Sequence, residues 1–274
     1  MIKQTPFVAE KIWGSERWVV STHRAGQSLS AGGGVPLGIS LGYDYPLLVK
    51  VIQADSRLSV QLHPDSAYAR AHGASRGKTE CWYVLGAAEG ATVACGLVGS
   101  PSPQELRAAV AQNRLEPYLR VMPVRTGDFV HIPAGLVHAV GAGVRLLEIQ
   151  ESSDITYRLC DWGRGREVHL DQGLAALKHG RTEVVSPFAG AFDCPYFSLR
   201  LLESAAVSLR AEPPAADYAL FVVSGGGEFA DETGERLPVH TEDAVVCRGG
   251  ETVTLLGSLR VMQIAPNAAC RSRR

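Results

Sequence analysis

The sequence predicts an all-β fold of two β-barrels in tandem with a few short helices. Most of the chain consists of short apolar runs interrupted by glycine and proline, a pattern typical of strands joined by turns. Strands and helices do not alternate as they would in a parallel α/β sheet, and an order of strand, glycine-rich turn and strand occurs in both halves. We therefore expect an N-terminal barrel with helical insertions in residues 1–185 and a C-terminal barrel in residues 186–274.

The strands of the N-terminal half are predicted from apolar runs and from alternation of apolar and polar residues. They cover residues 47–52, 58–63, 81–85, 92–97, 128–132 and 144–150. Those of the C-terminal half cover residues 197–201, 219–223, 243–247, 252–256 and 259–264, with a turn at the glycine-rich residues 224–227.

Three helices are expected beside the strands. Ser102, Pro103 and Glu105 provide an N-cap, a first-turn proline and a capping box for a helix that runs to about Asn113. A second helix is predicted over residues 171–180 and a shorter one over residues 66–72, where Asp65 is the expected cap.

The composition is that of an ordinary folded protein, with 46% apolar and 20% charged residues. A net charge of −1 gives no electrostatic reason to expect a nucleic acid or an anionic membrane as partner, and no apolar run approaches the length needed to cross a bilayer. The six scattered cysteines include no Cys-x-x-Cys pair, which favours buried thiols over a disulfide framework. We expect a cytoplasmic protein.

Four side chains in the N-terminal half have the chemistry of metal ligands. Gln61 and His63 are two residues apart in a predicted strand, so their side chains leave the same face. Glu80 directly precedes an apolar strand, where a carboxylate without a partner is unfavourable and a metal ion would provide one. His138 follows a turn containing proline and glycine and begins the next strand. Two imidazoles, a carboxylate and an amide oxygen suit a borderline divalent ion such as zinc.

Simpler interpretations exist for such residues. A lone histidine is more often a core or surface residue than a ligand. Lys50, at the end of an apolar strand, is compatible with an edge lysine whose amine reaches solvent. Arg158 is compatible with an ion pair to Asp154 or Asp161. Glu148 is flanked by apolar residues and needs either a partner or a function.

Four stretches at compatible spacing carry a family resemblance. They read LSVQLHPD at residues 58–65, GKTECWY at 77–83, GDFVHIPAGLVH at 127–138 and SSDITYRL at 152–159. The third resembles the second motif of the cupin superfamily, Gly-x5-Pro-x-Gly-x2-His. Together they resemble the type I mannose-6-phosphate isomerases in their short bacterial form, over roughly residues 5–180.

The resemblance implies two tandem cupin-type, or jelly-roll, barrels, of which the C-terminal one is free of metal. It implies one zinc ion per chain, held by Gln61, His63, Glu80 and His138. Arg158 and Glu148 would be catalytic residues. The substrate pocket would be lined by Lys50, Ser59, Lys78 and Arg164. Arg164 stands where longer family members carry a lysine. His131 and His169 are taken as structural or surface residues.

The activity implied by this resemblance is the zinc-dependent interconversion of mannose 6-phosphate and fructose 6-phosphate through an enediol. A small sugar phosphate is the expected partner. The general base stays open between Glu148, a metal-bound water and a histidine, and the oligomeric state stays open between monomer and homodimer. Two alternatives are a non-catalytic cupin that binds a sugar phosphate and an iron-dependent dioxygenase. Gln61 and Lys78 disfavour the second of these.

Overall fold

The structure is a computed structural model that describes residues 1–205 and 209–271. It is built predominantly of antiparallel strands, which confirms the all-β prediction. The strands before the midpoint of the chain are β1 Ile2–Thr5, β2 Phe7–Lys11, β3 Gly14–Val20, β4 Leu29–Ser30, β5 Leu47–Ala54, β6 Val60–Leu62, β7 Glu80–Ala87, β8 Thr92–Leu97, β9 Leu119–Pro123 and β10 Phe129–Ile132. The later ones are β11 His138–Val140, β12 Val144–Glu151, β13 Tyr157–Cys160, β14 Val184–Val185, β15 Ala191–Asp193, β16 Phe197–Ser204, β17 Leu209–Ala211, β18 Tyr218–Ala230, β19 Arg236–His240, β20 Ala244–Cys247 and β21 Val253–Pro266.

The helices are short and lie between strands. They are α1 Leu37–Leu41, α2 Ser66–Ala71, α3 Pro103–Ala111, α4 Leu170–Ala176 and α5 Ala268–Arg271, with one 3₁₀ turn at Glu116–Tyr118. The capping box of α3 is present: the Glu105 N–H donates to the Ser102 hydroxyl, and the Ser102 N–H donates to the Glu105 carboxylate. Within the residues that the structure describes, no helix is both long and apolar enough to cross a membrane.

Two predictions in the C-terminal half were wrong, and both concern glycine. The expected turn at residues 224–227 lies inside β18, and the strands expected at 252–256 and 259–264 form the single strand β21. A Cβ atom on Gly225 would come 2.1 Å from the carbonyl oxygen of Ser258, and one on Gly227 would come 2.0 Å from that of Leu256. These glycines allow β18 and β21 to approach closely, so here they continue a strand rather than end it.

The chain forms two compact units. One contains Val8–Glu16 and Lys50–Phe188, and the other contains Met1–Phe7, Arg17–Val49 and Ala189–Arg274. Residues 1–49, which the sequence analysis assigns to the N-terminal barrel, are divided between the two units, and the boundary expected at residue 185 stays a prediction. The assignment of one jelly-roll barrel to each half stays a prediction.

The unit that contains Lys50–Phe188 carries the candidate ligands on two sheets. Among the described residues, one sheet has seven strands in the order β14-β10-β7-β12-β5-β3-β2, and the other has five in the order β13-β6-β11-β8-β9. One apolar cluster includes inward side chains of both sheets, such as Trp82, Cys95 and Val140. A second cluster packs Leu106 and Ala176 of the helices with residues of the five-stranded sheet. The side chains between the two sheets are therefore fixed by packing on either side.

The other unit is built around a sheet that has nine strands within the described part of the chain. Its path is β15-β16-β21-β18-β20-β1-β4, with β17 on β21 and β19 on β18. The apolar core of this unit contains Tyr218, Phe229 and Val261, all fully buried.

Candidate metal centre

Three of the four predicted ligands meet inside the unit that contains Lys50–Phe188. His63 follows β6, Glu80 begins β7 and His138 begins β11, so the ligands come from both sheets. Their donor atoms lie within 4.8 Å of one another, and each residue is 1% exposed. The Nε2 atoms of His63 and His138 are 3.4 and 3.5 Å from the oxygens of Glu80. We call this group the His63–Glu80–His138 cluster.

Each histidine of the cluster is oriented by a backbone carbonyl. The His63 Nδ1 lies 2.9 Å from the carbonyl oxygen of Ile155, and the His138 Nδ1 lies 2.9 Å from that of Leu136. A carbonyl only accepts hydrogen bonds, so both Nδ1 atoms carry the proton and both Nε2 atoms present a lone pair to the cluster. This arrangement is typical of imidazoles that bind a metal ion.

Burial sets the charge of the same two rings. It lowers the pKa of His63 to about 3, and the positive charge of Lys78 acts in the same direction. The pKa of His138 is also lowered by burial, against the opposing effect of Glu80. Both imidazoles are therefore neutral at physiological pH, which is the state that coordinates a metal ion.

Glu80 supplies the negative charge of the cluster. Burial alone would raise the pKa of Glu80, but the charge of the neighbouring Lys78 ammonium outweighs it and holds the pKa well below its usual value. The cluster thus combines two neutral imidazoles with one carboxylate. This donor set fits a divalent ion such as zinc.

Gln61 lies beside the three ligands, directly opposite His138 in the pairing of β6 with β11. Its amide nitrogen is 3.5 Å from the His138 Nε2, and its Oε1 accepts a hydrogen bond from the Ser59 hydroxyl at 3.1 Å. Half a turn of the terminal amide exchanges the nitrogen and the oxygen, and would direct a metal donor to the cluster. Ser59 is thereby placed next to the candidate site.

A chain of alternating charges extends from the cluster. Lys78 Nζ lies 2.7 Å from Glu80 Oε2 and 3.4 Å from Glu148 Oε1. Lys50 Nζ lies 3.4 Å from the other oxygen of Glu148 and 3.8 Å from Glu16. The predicted residues Lys50, Lys78 and Glu148 are thus brought together with the predicted ligands, and the simpler interpretation of Lys50 as a solvent-reaching edge lysine does not describe this buried contact.

The neighbouring charges shift the pKa values of Glu148 and Lys78. Burial and the charge of Glu80 raise the pKa of Glu148 to about 7, while Lys50 and Lys78 oppose the rise. For Lys78, burial would lower the pKa, but the carboxylates of Glu148 and Glu80 raise it above its ordinary value. The attraction between a buried carboxylate and a buried ammonium offsets the cost of removing both groups from water.

Arg158 stands on β13 directly opposite Gln61 of β6, so the two side chains leave the same face of the sheet. Its guanidinium donates to the carbonyl oxygen of Glu167 at 2.7 Å, and its Nε is buried with no hydrogen bond to any described residue. Asp161, one of the two partners considered for it from sequence, forms its ion pairs with Arg164 and Arg166.

Arg164 has a different environment from the other predicted residues. Its guanidinium nitrogens donate to the carboxylate and carbonyl of Asp161 and to the carbonyl of Arg57, at 2.8, 3.1 and 2.9 Å. None of these contacts within the described residues reaches the His63–Glu80–His138 cluster. Arg158, Arg164 and Arg166 nevertheless form a positively charged group around a single carboxylate.

The sequence analysis missed two residues of this region. Glu16, in the unpredicted strand β3, is the outer partner of Lys50. Gln150 is fully buried opposite Glu80 on β12; its amide nitrogen donates to the carbonyls of Glu151 and Ser153, and its oxygen has no hydrogen-bond partner among the described residues. The alternation of Glu148 with Gln150 along β12 was the available signal for the second residue.

Comparison with known proteins identifies the family. No protein-family model matches the chain. Over 215 residues, which are 65% of this chain and 68% of the relative, the sequence is 38% identical to mannose-6-phosphate isomerase of Streptococcus mutans. The chain belongs to the mannose-6-phosphate isomerase family. It is accordingly an isomerase, and the predicted family resemblance is confirmed.

Solved structures of this family share the fold. The crystal structure of mannose 6-phosphate isomerase from Bacillus subtilis matches with a TM-score of 0.87 at 25% identity, covering 96% of this chain and 99% of that one. A mannose 6-phosphate isomerase bound with zinc and yttrium matches with a TM-score of 0.77 at 16% identity, over 98% of this chain and all of that one (100%). The second likeness concerns the fold alone.

Proposed function

We propose that the chain is a zinc-dependent aldose–ketose isomerase that interconverts mannose 6-phosphate and fructose 6-phosphate through an enediol. The observation that carries the zinc dependence is the cluster of two Nε2 lone pairs and one carboxylate within 4.8 Å, fixed by carbonyls on the opposite ring nitrogens. His63, Glu80 and His138 would hold one zinc ion per chain, with Gln61 as the fourth donor. The related fold with bound zinc supports this choice of metal.

Zinc, when bound, supplies a Lewis acid that polarises the sugar oxygens. The remaining requirements of the reaction are a base, a stabiliser of negative charge and a position for the phosphate. The residues of this chain have to meet these requirements in a buried pocket.

Glu148 is our proposed base. Its two carboxylate oxygens each lie 3.4 Å from an ammonium group, one of Lys50 and one of Lys78, so the group is held in a fixed orientation beside the cluster. In the forward direction it removes the proton from the carbon next to the aldehyde of open-chain mannose 6-phosphate. Return of the proton to the former aldehyde carbon, with transfer of the adjacent hydroxyl proton to the former aldehyde oxygen, gives the ketose.

Arg158 is the proposed stabiliser of the enediolate. It shares the face of Gln61, and its buried Nε is available for a further hydrogen bond. A fixed guanidinium aimed at developing negative charge favours the intermediate over the substrate. Ser59, Lys50 and Lys78 remain our proposed lining of the sugar pocket.

The phosphate is assigned to Arg164 and Arg166. Two guanidiniums around the one carboxylate of Asp161 leave an excess of positive charge, which suits a phosphate dianion. Arg164 would contribute through its positive charge, while its hydrogen bonds to the Arg57 carbonyl and the Asp161 carboxylate fix its position.

A cytoplasmic location remains a proposal. It is supported by the cysteines, all six of which lie within the described residues and none of which forms a disulfide there.

The direct test is the formation of fructose 6-phosphate from mannose 6-phosphate, followed through a coupled dehydrogenase assay. We expect turnover by the zinc-loaded protein, loss of turnover after chelation and recovery when zinc is added back. Full turnover without any divalent ion would contradict the zinc dependence. Substrate binding without turnover by a fully zinc-loaded protein would favour the non-catalytic sugar-phosphate binder.

A further inference from the structure

Lys78 contacts the same donor atoms that a metal ion would use. Its Nζ lies 2.7 Å from Glu80 Oε2 and 3.1 Å from His63 Nε2. Because the His63 Nδ1 is protonated against the carbonyl of Ile155, the Nε2 accepts this hydrogen bond through its lone pair. A lone pair that accepts a hydrogen bond from Lys78 is not free to bind a metal ion at the same time.

The contact also balances charge. Lys78 and Glu80 are 5% and 1% exposed, and a buried carboxylate without a nearby cation is strongly unfavourable. The ammonium therefore gives the cluster a positive charge at the position where a divalent ion would give it two.

We propose that Lys78 is an internal counter-cation of the metal centre. Its ammonium and a divalent ion compete for Glu80 Oε2 and His63 Nε2, so a bound ion would displace Lys78 from these atoms and leave Glu148 as its carboxylate partner. The inference rests on the zinc site of the proposed function. It adds to that function a residue that sets how tightly the metal is held and that links metal loading to the environment of the proposed base.

Glu148 is the acceptor that remains for Lys78 in this exchange. Its Oε1 is already 3.4 Å from the Lys78 Nζ, and its other oxygen is 3.4 Å from Lys50. A lysine that gives up Glu80 thus still has a buried carboxylate within reach.

The chain contains a matched control for this role. Lys50, which lies on β5 of the seven-stranded sheet, is also buried and also lies 3.4 Å from Glu148. The carboxylates it is paired with, Glu16 and Glu148, are not among the proposed ligands. Removal of Lys50 therefore changes charge and burial near the base without removing the proposed competitor.

The experiment measures zinc release rather than activity. Wild-type protein, Lys78→Met, Lys78→Gln and Lys50→Met are loaded with zinc, and transfer of the ion to an excess of a chromophoric chelator is followed. We expect zinc release from Lys78→Met to be slower than from wild type by about tenfold or more, since a like charge no longer acts at contact distance. Lys78→Gln keeps a hydrogen-bond donor without the charge and should be slowed in the same direction. Lys50→Met should stay within about twofold of wild type, because more distant charges contribute less.

Thermal unfolding gives a second measurement on the same proteins. The difference in Tm between zinc-loaded and metal-free protein should widen in Lys78→Met, because the metal-free form loses the cation that compensates Glu80 while the loaded form does not. The release measurement needs only the loaded protein, so it stands even where metal-free Lys78→Met is unfolded.

Two results would overturn the inference. One is zinc release from Lys78→Met that is as fast as, or faster than, release from wild type. The other is an equal slowing in Lys50→Met, which would reduce the effect to general electrostatics. Both differ from failure of the proposed function: a zinc-loaded wild type that forms no fructose 6-phosphate would refute the activity, and the release rates would still decide the role of Lys78.

Discussion

At the scale of single residues, the candidate metal centre depends on backbone groups whose positions the sequence motifs do not predict. The sequence identifies His63 and His138 as candidate ligands through their spacing and a family resemblance. Their competence as ligands comes from the carbonyls of Ile155 and Leu136, which fix the proton on Nδ1. A backbone carbonyl belongs to every residue type, so its position cannot be predicted from side-chain identity and requires the folded chain.

Replacement of His138 with alanine should abolish zinc binding and turnover together, because the cluster would lose one of its two neutral imidazoles. Metal content by emission spectroscopy and the fructose 6-phosphate assay measure the two effects. His179→Ala, a change of an exposed histidine, is the control and should retain both. Retained zinc with lost turnover would remove His138 from the ligand set.

Replacement of Arg158 with alanine should reduce kcat by ~10²-fold or more, as expected when a fixed donor to developing charge is lost. Zinc content and Tm should change little, since the side-chain hydrogen bond of Arg158 is made to a carbonyl near the surface. Arg158→Lys retains charge without the planar guanidinium and should recover part of the rate. A kcat close to wild type in Arg158→Ala would exclude the catalytic role.

At the scale of secondary-structure elements, predictions succeeded where local interactions decide. The capping box of α3 and the strand β8 were both predicted, since their signals lie within one segment. The turn expected at residues 224–227 was wrong because the reason for those glycines is the neighbouring strand β21. A contact partner about thirty residues away leaves no local signal.

Asp65 is the N-cap residue of helix α2, and its contribution to the free energy of unfolding can be measured directly. Its carboxylate accepts hydrogen bonds from the N–H groups of Ala67 and Tyr68 at the start of α2, and from Lys178 at 2.6 Å. Asp65→Ala should lower the free energy of unfolding by about 1 kcal/mol, the usual effect of losing an N-cap. Urea titration measures it, with Asp171→Ala, a first-turn residue of α4 that does not cap, as the control.

The same variant has a defined pH dependence. The Lys178 hydrogen bond is the main cause that lowers the pKa of Asp65 below its usual 3.8, and the N–H groups of Tyr68 and Ala67 add to it. A lowered folded-state pKa means that the stabilisation is complete above pH 3.8 and is lost as the pH falls through the folded value. The stability difference between wild type and Asp65→Ala should therefore shrink in acid. A difference that grows as the pH falls would contradict this assignment.

At the scale of the whole molecule, the pairing of distant segments could not be predicted. The boundary expected at residue 185 stays a prediction. The return of Met1–Phe7 and Arg17–Val49 to the unit of the C-terminal half could not be predicted, because strand pairings such as β1 with β20 join residues far apart in sequence.

A chain that ends at Gly190 should aggregate. It would retain Met1–Phe7 and Arg17–Val49 but lose the strands with which they form one unit, including β20, and so expose buried residues such as Leu37 and Tyr45. Size-exclusion chromatography after expression measures the outcome, and a chain that ends at Asn267, which retains β21, is the control. A monodisperse and active shorter chain would refute the packing role of the C-terminal half.

The glycines of β18 also have a consequence for natural variation. Gly225 and Gly227 each face a carbonyl oxygen at a distance that excludes any side chain, whereas a Cβ atom on Gly226 would meet its nearest neighbour at an ordinary 3.6 Å. Orthologous sequences and saturation-mutagenesis libraries should therefore keep glycine at positions 225 and 227 and show other residues at position 226. Such an alternating footprint would distinguish constraint by interstrand crowding from constraint by a flexible bend, which would tolerate change more evenly across all three.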